Sequence, residues 1–472
     1  MFVIIVTRTL TPVDFGLYSL IGSLIAYSMF GHAIVSYWIP RHMARGEQVG
    51  KSGLFINGIF SILGTLAYLV AAYYISQRAN SDFSILALGS ILIPATYISS
   101  ALDKINLGFK PEAVSYSLII FEIAKIPLVF FLVKGIDLGL IGVIIATFFA
   151  LLVKISTGLF FAWRHLKSSI NLDYIKKWIK LTWLSTYDTV ASNIYVLDTV
   201  LVSIFLKSTE PLAYFAAAMS ISLVAGHSGV ISDVLAPKLI ADAKREHVKI
   251  ITRLFTLFGS IIFVTIIVFA KPLLFLLNPV YSIATIVVYI QTLRAFIYGL
   301  FLIFHNTLAG IERVDTYDKI SFSQYRKSNL FLLGTLLYVR AGLYIGPLII
   351  LLLLFPILKI SILEFVTLWS LMALTAEISI TAYSAFRVHK VGFLSFDWKP
   401  IVRYAISAMI SGLTSFYIMD HFVVFKRDLL IFLPGLAVSL GVGIATYLVL
   451  VYCIDDYSRS LIKAMLGRKN ES

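Results

Sequence analysis

Long apolar runs alternate along this chain with short connections in which Lys and Arg collect. An α-helix needs roughly 20 residues to cross a bilayer. Against that length the runs predict spans at about 15–39, 52–76, 83–107, 113–133, 138–163, 178–206 and 211–236. They continue at about 250–270, 282–309, 328–357, 362–386, 400–420 and 429–454. The stub Met1–Thr7 is too short to cross and reads as the end of a first helix whose beginning is missing. A cleaved signal peptide would need a basic n-region and a small-residue cleavage site, and neither is present. The expectation is an all-α polytopic membrane protein of about 14 transmembrane helices, the first one truncated.

One layout occurs twice. Arg8–Lys51 opens with a polar elbow, Thr9–Asp14, in which Pro12 presets a turn and Asp14 is placed to cap a helix. Phe15–Ile39 carries no formal charge, and Pro40 and Arg41 close it ahead of Arg45 and Lys51. Ser208–Lys249 repeats this order. At a constant offset of 197 residues, Phe15 falls on Leu212, Pro40 on Pro237, Arg41 on Lys238 and Ala44 on Ala241. Few residues are identical, so the likeness is one of layout, as in transporters built from two related halves. The chain then divides into an N-terminal six-helix lobe, 1–170, and a C-terminal six-helix lobe, 171–390, related by a pseudo-twofold. Residues 391–472 add two further helices and a tail.

Charge supports this count. Of the 39 Lys and Arg, 27 lie in alternate connections and the tail and 8 in the remaining connections. Basic loops stay on the cytoplasmic side, which places the C-terminus in the cytoplasm of a cell-membrane protein. The same topology accounts for the net charge of +14, which in a soluble protein would suggest nucleic-acid binding. With 59% hydrophobic and 14% charged residues the chain cannot be an ordinary soluble protein. A single cysteine, Cys453, excludes an internal disulfide framework or a cysteine metal cluster.

Polar residues within the spans are the functional candidates, because a mid-bilayer charge costs roughly 2.5–3.5 kcal/mol on insertion scales. In the seventh helix Thr182, Ser185, Thr186, Thr189, Ser192 and Asn193 follow helical spacing, with Asp188 and Asp198 alongside. Such a stripe lines a wet cavity or a helix interface. Interhelical hydrogen bonding accounts for small polar residues of this kind as readily as a cavity does. The second and eighth spans carry Ser28, His32 and Ser36 in one copy and His227 and Asp233 in the other; a lone histidine in an apolar helix is more often a packing residue than a proton carrier. In the tenth, Gln291, Arg294, Tyr298 and His305 share a face, and Arg294 needs a carboxylate, carbonyls or an anionic ligand. Glu122 and Lys125 can neutralise each other three residues apart. Lys154, Arg340 and Glu377 have no evident local partner. Gly58, Gly64 and Gly89 are read as points of close helix approach. No phosphate-cradling G-x-x-x-x-G-K-[ST] loop, H-E-x-x-H motif or Cys/His metal spacing occurs.

The elbow R-x-L-T-P-x-D-F-G-L-Y-S-L, Arg8–Leu20, with its uncharged helix and Pro-Arg stop, resembles the start of polysaccharide-biosynthesis flippases. These are the Wzx-type members of the multidrug/oligosaccharidyl-lipid/polysaccharide exporter superfamily. The resemblance in layout covers nearly the whole chain, apart from the missing part of the first helix. It implies a transporter, not an enzyme, with no cofactor. Its cargo would be a polyprenyl-(pyro)phosphate-linked oligosaccharide, carried from the cytoplasmic to the outer leaflet by alternating access. In that family the first, second, seventh and eighth helices border a central cavity, which here implicates Arg8, His32, Asp188, Asn193, Asp198, His227 and Asp233; the residue pattern adds Arg294. Membrane lipid, and H+ or Na+ as coupling ion, are the other partners implied; nucleic acid is not. Two alternatives remain. A cation-coupled drug antiporter of the same superfamily would suit a cavity rich in carboxylates. A membrane glycosyltransferase or polymerase would need a longer outside loop than any present.

Overall fold

The computed structural model describes residues 1–312 and 326–467, and these are almost entirely helical. Arg313, Lys319, Arg468, Lys469 and the side chain of Ser185 lie outside the described residues. Among the described residues twelve helices are long and apolar enough to cross a membrane, or thirteen when one bent pair is taken as a single span. The protein is a multi-pass membrane protein. Helices suit this setting because a bilayer offers no water to unpaired backbone groups, so each segment must satisfy its own.

Contacts divide the chain into two compact units, Met1–Ala216 with Ile345–Ile360, and Ala217–Tyr344 with Ser361–Ser472. The first contains α1 (Phe2–Thr9), α2 (Pro12–Ser28), α3 (Phe30–Ser36), α4 (Trp38–Ala44), α5 (Gly50–Ala79), α6 (Phe83–Leu88) and α7 (Leu92–Phe109). It continues with α8 (Pro111–Val129), α9 (Gly139–Ala162), α10 (Leu172–Lys180), α11 (Thr182–Tyr195), α12 (Asp198–Leu206) and the start of α13 (Glu210–Gly226). The second holds the rest of α13, α14 (Leu235–Asp242), α15 (Arg245–Leu277) and α16 (Thr285–Gly310). It also takes the first half of α17 (Asn329–Leu358), then α18 (Ile362–Lys390), α19 (Trp398–Phe422), α20 (Leu429–Ile454) and α21 (Asp456–Gly467).

The uncharged stretch after the first elbow is not one straight helix. It breaks at Met29, and α2 and the α3–α4 segment meet at 47°. The cause is a side chain: the Tyr97 hydroxyl donates to the Ser28 carbonyl at 2.7 Å. The His32 amide, which a continuous α-helix would direct to that carbonyl, bonds instead to Met29 O at 2.9 Å. Gly31 lets the turn close, because a Cβ there would lie 2.8 Å from Phe60 and 3.0 Å from the Tyr97 hydroxyl. The second copy runs on as one span, Glu210–Asp242, but changes from α to 3-10 geometry in the same register. Gly226, the last residue of α13, stands 197 positions after Met29, and a 3-10 stretch, His227–Val234, follows. Both copies then end on a left-handed residue at equivalent positions, Gly46 (φ 82°) and Ala243 (φ 48°).

The first elbow differs in detail from its sequence reading. Thr11, not Asp14, is the N-cap of α2: its side chain accepts the Asp14 amide at 3.2 Å, while its hydroxyl donates to the Asp14 carboxylate at 2.7 Å. The seventh span is also interrupted, at Val196–Leu197, and is preceded by α10. Helix α10 is amphipathic, burying Ile175 and Trp178 against Val35, Ile39, Met43 and Ile105. In the second unit the corresponding cluster joins Leu235 and Leu239 of α14 to Ile251 and Phe255 of α15 and Ile303 and Phe304 of α16.

Inside a bilayer, close packing rather than exclusion from water holds helices together. Gly108 of α7 lies against Pro40 of α4, where a Cβ would come within 2.7 Å of the Pro40 carbonyl. Gly310 of α16 approaches Ala236 of α14 in the same way, at 2.9 Å. Of the glycines singled out from sequence, Gly64 and Gly89 do sit against neighbours, whereas a Cβ on Gly58 would meet nothing within 4 Å.

Candidate functional site

In the first unit, His32 on α3 is half-buried, with Nδ1 2.8 Å from Asn57 Oδ1 on α5 and its ring edge-on to Tyr97. Asp103 and Lys104 on α7 lie close enough for their charges to act on it. Asp103 in turn pairs with Lys154 of α9 at 2.6 Å, the partner that sequence spacing did not supply. Helix α11 packs on α3. On α11, Asp188 is exposed and Asn193 half-buried. Much of the hydroxyl stripe is turned back on its own helix. Thr182 donates to Ile179 O at 2.6 Å, Thr186 to Thr182 O at 2.8 Å and Ser192 to Asp188 O at 2.9 Å. Such back-bonding satisfies the hydroxyls in an apolar setting.

Asp198 is buried at the start of α12, where its carboxylate accepts from the Thr199 amide at 2.7 Å and the Thr199 hydroxyl at 3.2 Å. It sits near enough to Tyr27 of α2 for its charge to act on that buried phenol. Arg8 is half-buried in the last turn of α1. A cavity of about 530 Å³ opens among α2, α7, α9 and Val196, with Tyr18, Ser19, Ser23, Thr96 and Thr147 in its wall. None of the candidate residues lines it.

Outside the spans, Glu47 accepts hydrogen bonds from Tyr174 and from His42, and these hold its carboxyl below the usual range. That contact ties α10 to the end of α4.

In the second unit His227 and Asp233 are both exposed on the 3-10 stretch, and the His227 ring bonds only to its own chain, Nδ1 to Leu223 O at 3.0 Å. The residues of that stretch facing inward are Ser228, Gly229 and Ser232. Asn306 of α16 donates to the carbonyl and hydroxyl of Ser232, each at 3.0 Å.

Arg294 belongs to a charged cluster that crosses three helices. Arg340 of α17 pairs with Glu377 of α18 at 2.7 Å, and its guanidinium lies 5.0 Å from the centre of the Tyr298 ring on α16. Arg294, half-buried one turn before Tyr298, contacts Met219 Sδ at 3.3 Å and is close enough to act on Glu377. Glu377 is wholly buried. On the same face Gln291 donates to Ser370 Oγ at 3.1 Å. Glu377 thus forms its ion pair with Arg340, while the contact of the Arg294 guanidinium is with the Met219 sulfur. Glu122 and Lys125 pair at 3.5 Å, as their spacing predicts. Sequence reasoning had no signal for a further node, in which Arg253 of α15 meets Asp455 at 2.6 Å and Tyr404 of α19 at 3.0 Å. Burial would push the Asp455 carboxyl up, but bonds from Ser458 and Tyr404 and the Arg253 charge hold it below its ordinary value.

No family model and no curated protein matches the sequence. Solved structures do. One is similar to this chain with a TM-score of 0.67 at 16% identity, over 98% of this chain and 96% of its own: the lipid II flippase MurJ in an inward closed conformation. A second is a multidrug resistance MATE transporter of the MOP superfamily, inward-facing, with a TM-score of 0.61 at 13% identity over 84% of this chain and 94% of its own. A MATE protein in a bent conformation follows at 0.50 and 15%, over 82% of this chain and 93% of its own. This chain thus has the fold of the MOP-superfamily transporters.

Proposed function

We propose that this protein is a flippase that moves a lipid-linked oligosaccharide, carried on a polyprenyl phosphate or pyrophosphate, from the cytoplasmic to the outer leaflet of the cell membrane. The observation that carries the reading is the extent of the likeness. It runs over nearly the whole chain for the lipid II flippase, and over a smaller share for the MATE transporters. The difference is about the length of the trailing helices α19–α21.

Transport proceeds by alternating access, with the C-terminus in the cytoplasm. Arg8, His32, Asp188, Asn193, Asp198, His227, Asp233 and Arg294 are the residues assigned to the headgroup path. Sugars need hydrogen-bonding walls, and a pyrophosphate needs positive charge, which Arg8 and Arg294 carry. H+ or Na+ is the coupling ion, with Asp188, Asp198 or Asp233 as its carrier.

Proteoliposomes loaded with a labelled polyprenyl-pyrophosphate oligosaccharide test this. The protein should speed exposure of the headgroup to a membrane-impermeant reagent, and no acceleration over protein-free vesicles ends the reading. A second reading, an organic-cation antiporter, draws on the exposed carboxylates Asp188 and Asp233. Proton- or Na+-driven uptake of a cationic dye, with no effect on the oligosaccharide lipid, would establish it instead.

A further inference from the structure

Among the twelve unbent spans of the described residues, Pro111–Gly135, which begins with α8, is the least embedded, with 17% of its most apolar stretch buried inside the protein. Between it and α9 lies a groove of about 530 Å³, walled by Tyr116, Ile119 and Ile120 on one side and by Ser156, Thr157 and Phe160 on the other, with Phe161 at its end. Its side chains are turned outward: Phe160 is 77% exposed and Ile119 56%. The two hydroxyls on the α9 side are already bonded within their own helix, Ser156 to Leu152 O at 2.9 Å and Thr157 to Val153 O at 3.0 Å. Apart from the Tyr116 hydroxyl, the slot therefore presents hydrocarbon.

One end of the groove is cationic. Lys110, exposed at the N-terminus of α8, places Nζ 4.8 Å from the centre of the Phe161 ring. Arg164, also exposed, lies three residues beyond Phe161 in the 3-10 turn Trp163–Leu166 that follows α9. Lys167 lies just beyond, and against Lys110, Arg164 and Lys167 the acid within this pair of chain segments is Glu112, so their exposed charge is net positive. A slot lined with hydrocarbon and ending in two cations is complementary to an amphiphile with an anionic head.

We propose that the α8–α9 groove binds one anionic phospholipid, an acyl chain lying between the two helices and the headgroup phosphate held by Lys110 and Arg164. The site stands apart from the residues assigned to transport and holds whether or not the flippase reading does.

Native mass spectrometry of the detergent-solubilised full chain with phosphatidylglycerol or phosphatidylcholine tests it. Phosphatidylglycerol should be retained about five-fold more per cation engaged, the scale of a basic residue at a lipid surface. Lys110→Gln with Arg164→Gln should bring its retention down to that of phosphatidylcholine. Ser156→Trp, which fills the slot from an exposed position, should reduce retention of both lipids, and circular dichroism reports whether each variant keeps its helices. The proposal is overturned by equal retention of the two lipids by the unaltered protein, or by a headgroup preference that survives loss of both cations. It is equally overturned by retention unchanged in Ser156→Trp, or by displacement of phosphatidylglycerol by an equimolar polyprenyl monophosphate.

Discussion

The hydroxyl of Thr209 donates to the backbone carbonyl of Val13 at 2.8 Å, joining the two elbows that the 197-residue offset places in correspondence. Gly16 makes the approach possible, since a Cβ at that position would collide with the Thr209 carbonyl. Gly16→Val is therefore expected to destabilise the protein by about 1–3 kcal/mol, the range for forcing extra methyl groups into a packed site. Thr209→Val should cost less, roughly 0.6–1.7 kcal/mol, as for hydrogen bonds between membrane helices. Thermal unfolding in a single detergent ranks the two, and a Gly16→Val protein as stable as the parent would disprove the contact.

Arg340 and Glu377 neutralise one another in a setting where neither is tolerable alone. Replacing one member leaves a buried charge, at roughly 3–5 kcal/mol. Glu377→Met and Arg340→Met should each be strongly destabilising, and the double substitution milder than either. A double-mutant cycle followed by thermal unfolding measures this; additive losses would show that the pair does not act as a unit.

Asp455 connects stability to pH. Its carboxyl titrates below the ordinary value in the folded protein, so its contribution is complete above the unfolded pKa of about 3.9 and is lost as pH falls through the lower folded value. Unfolding temperature should thus drop on the acid side of about pH 4, and Asp455→Asn should flatten that limb while lowering stability at neutral pH. An identical acid limb in the variant would assign the effect to other carboxylates.

The carboxylates assigned to ion coupling differ in setting, and the variants should differ accordingly. Asp233 is exposed, so Asp233→Asn should leave unfolding temperature near that of the parent, and Asp188→Asn or Asp233→Asn should slow gradient-driven transport at least ten-fold if that residue carries the ion. Asp198→Asn weakens the start of α12 and should lower both. Transport unaffected by alanine at all three positions removes them from the coupling step.

The helices and their order were legible because a spanning run is long and its signal is averaged over some twenty positions. The break at Met29 was not, because it rests on one distant residue. Nothing near Met29 announces that Tyr97 will take the Ser28 carbonyl. The Asp103–Lys154 and Arg340–Glu377 pairs were hidden for the same reason: their members sit on different helices, and sequence spacing speaks only within one. Charge on a single helix was easier, and Glu122 with Lys125 could be paired by spacing alone. Asp198 shows a different limit, since its carboxylate is engaged by the amide and hydroxyl of the adjacent Thr199, a local role its apolar surroundings in the sequence do not suggest.

A left-handed residue closes each copy of the repeated layout, glycine at position 46 and alanine at 243. Left-handed geometry costs an L-residue roughly 1–2 kcal/mol that glycine does not incur. Ala243→Gly should then be tolerated or even welcome, whereas Gly46→Ala should not. The same corner was evidently built twice with different materials, and each version serves as the experimental control for the other.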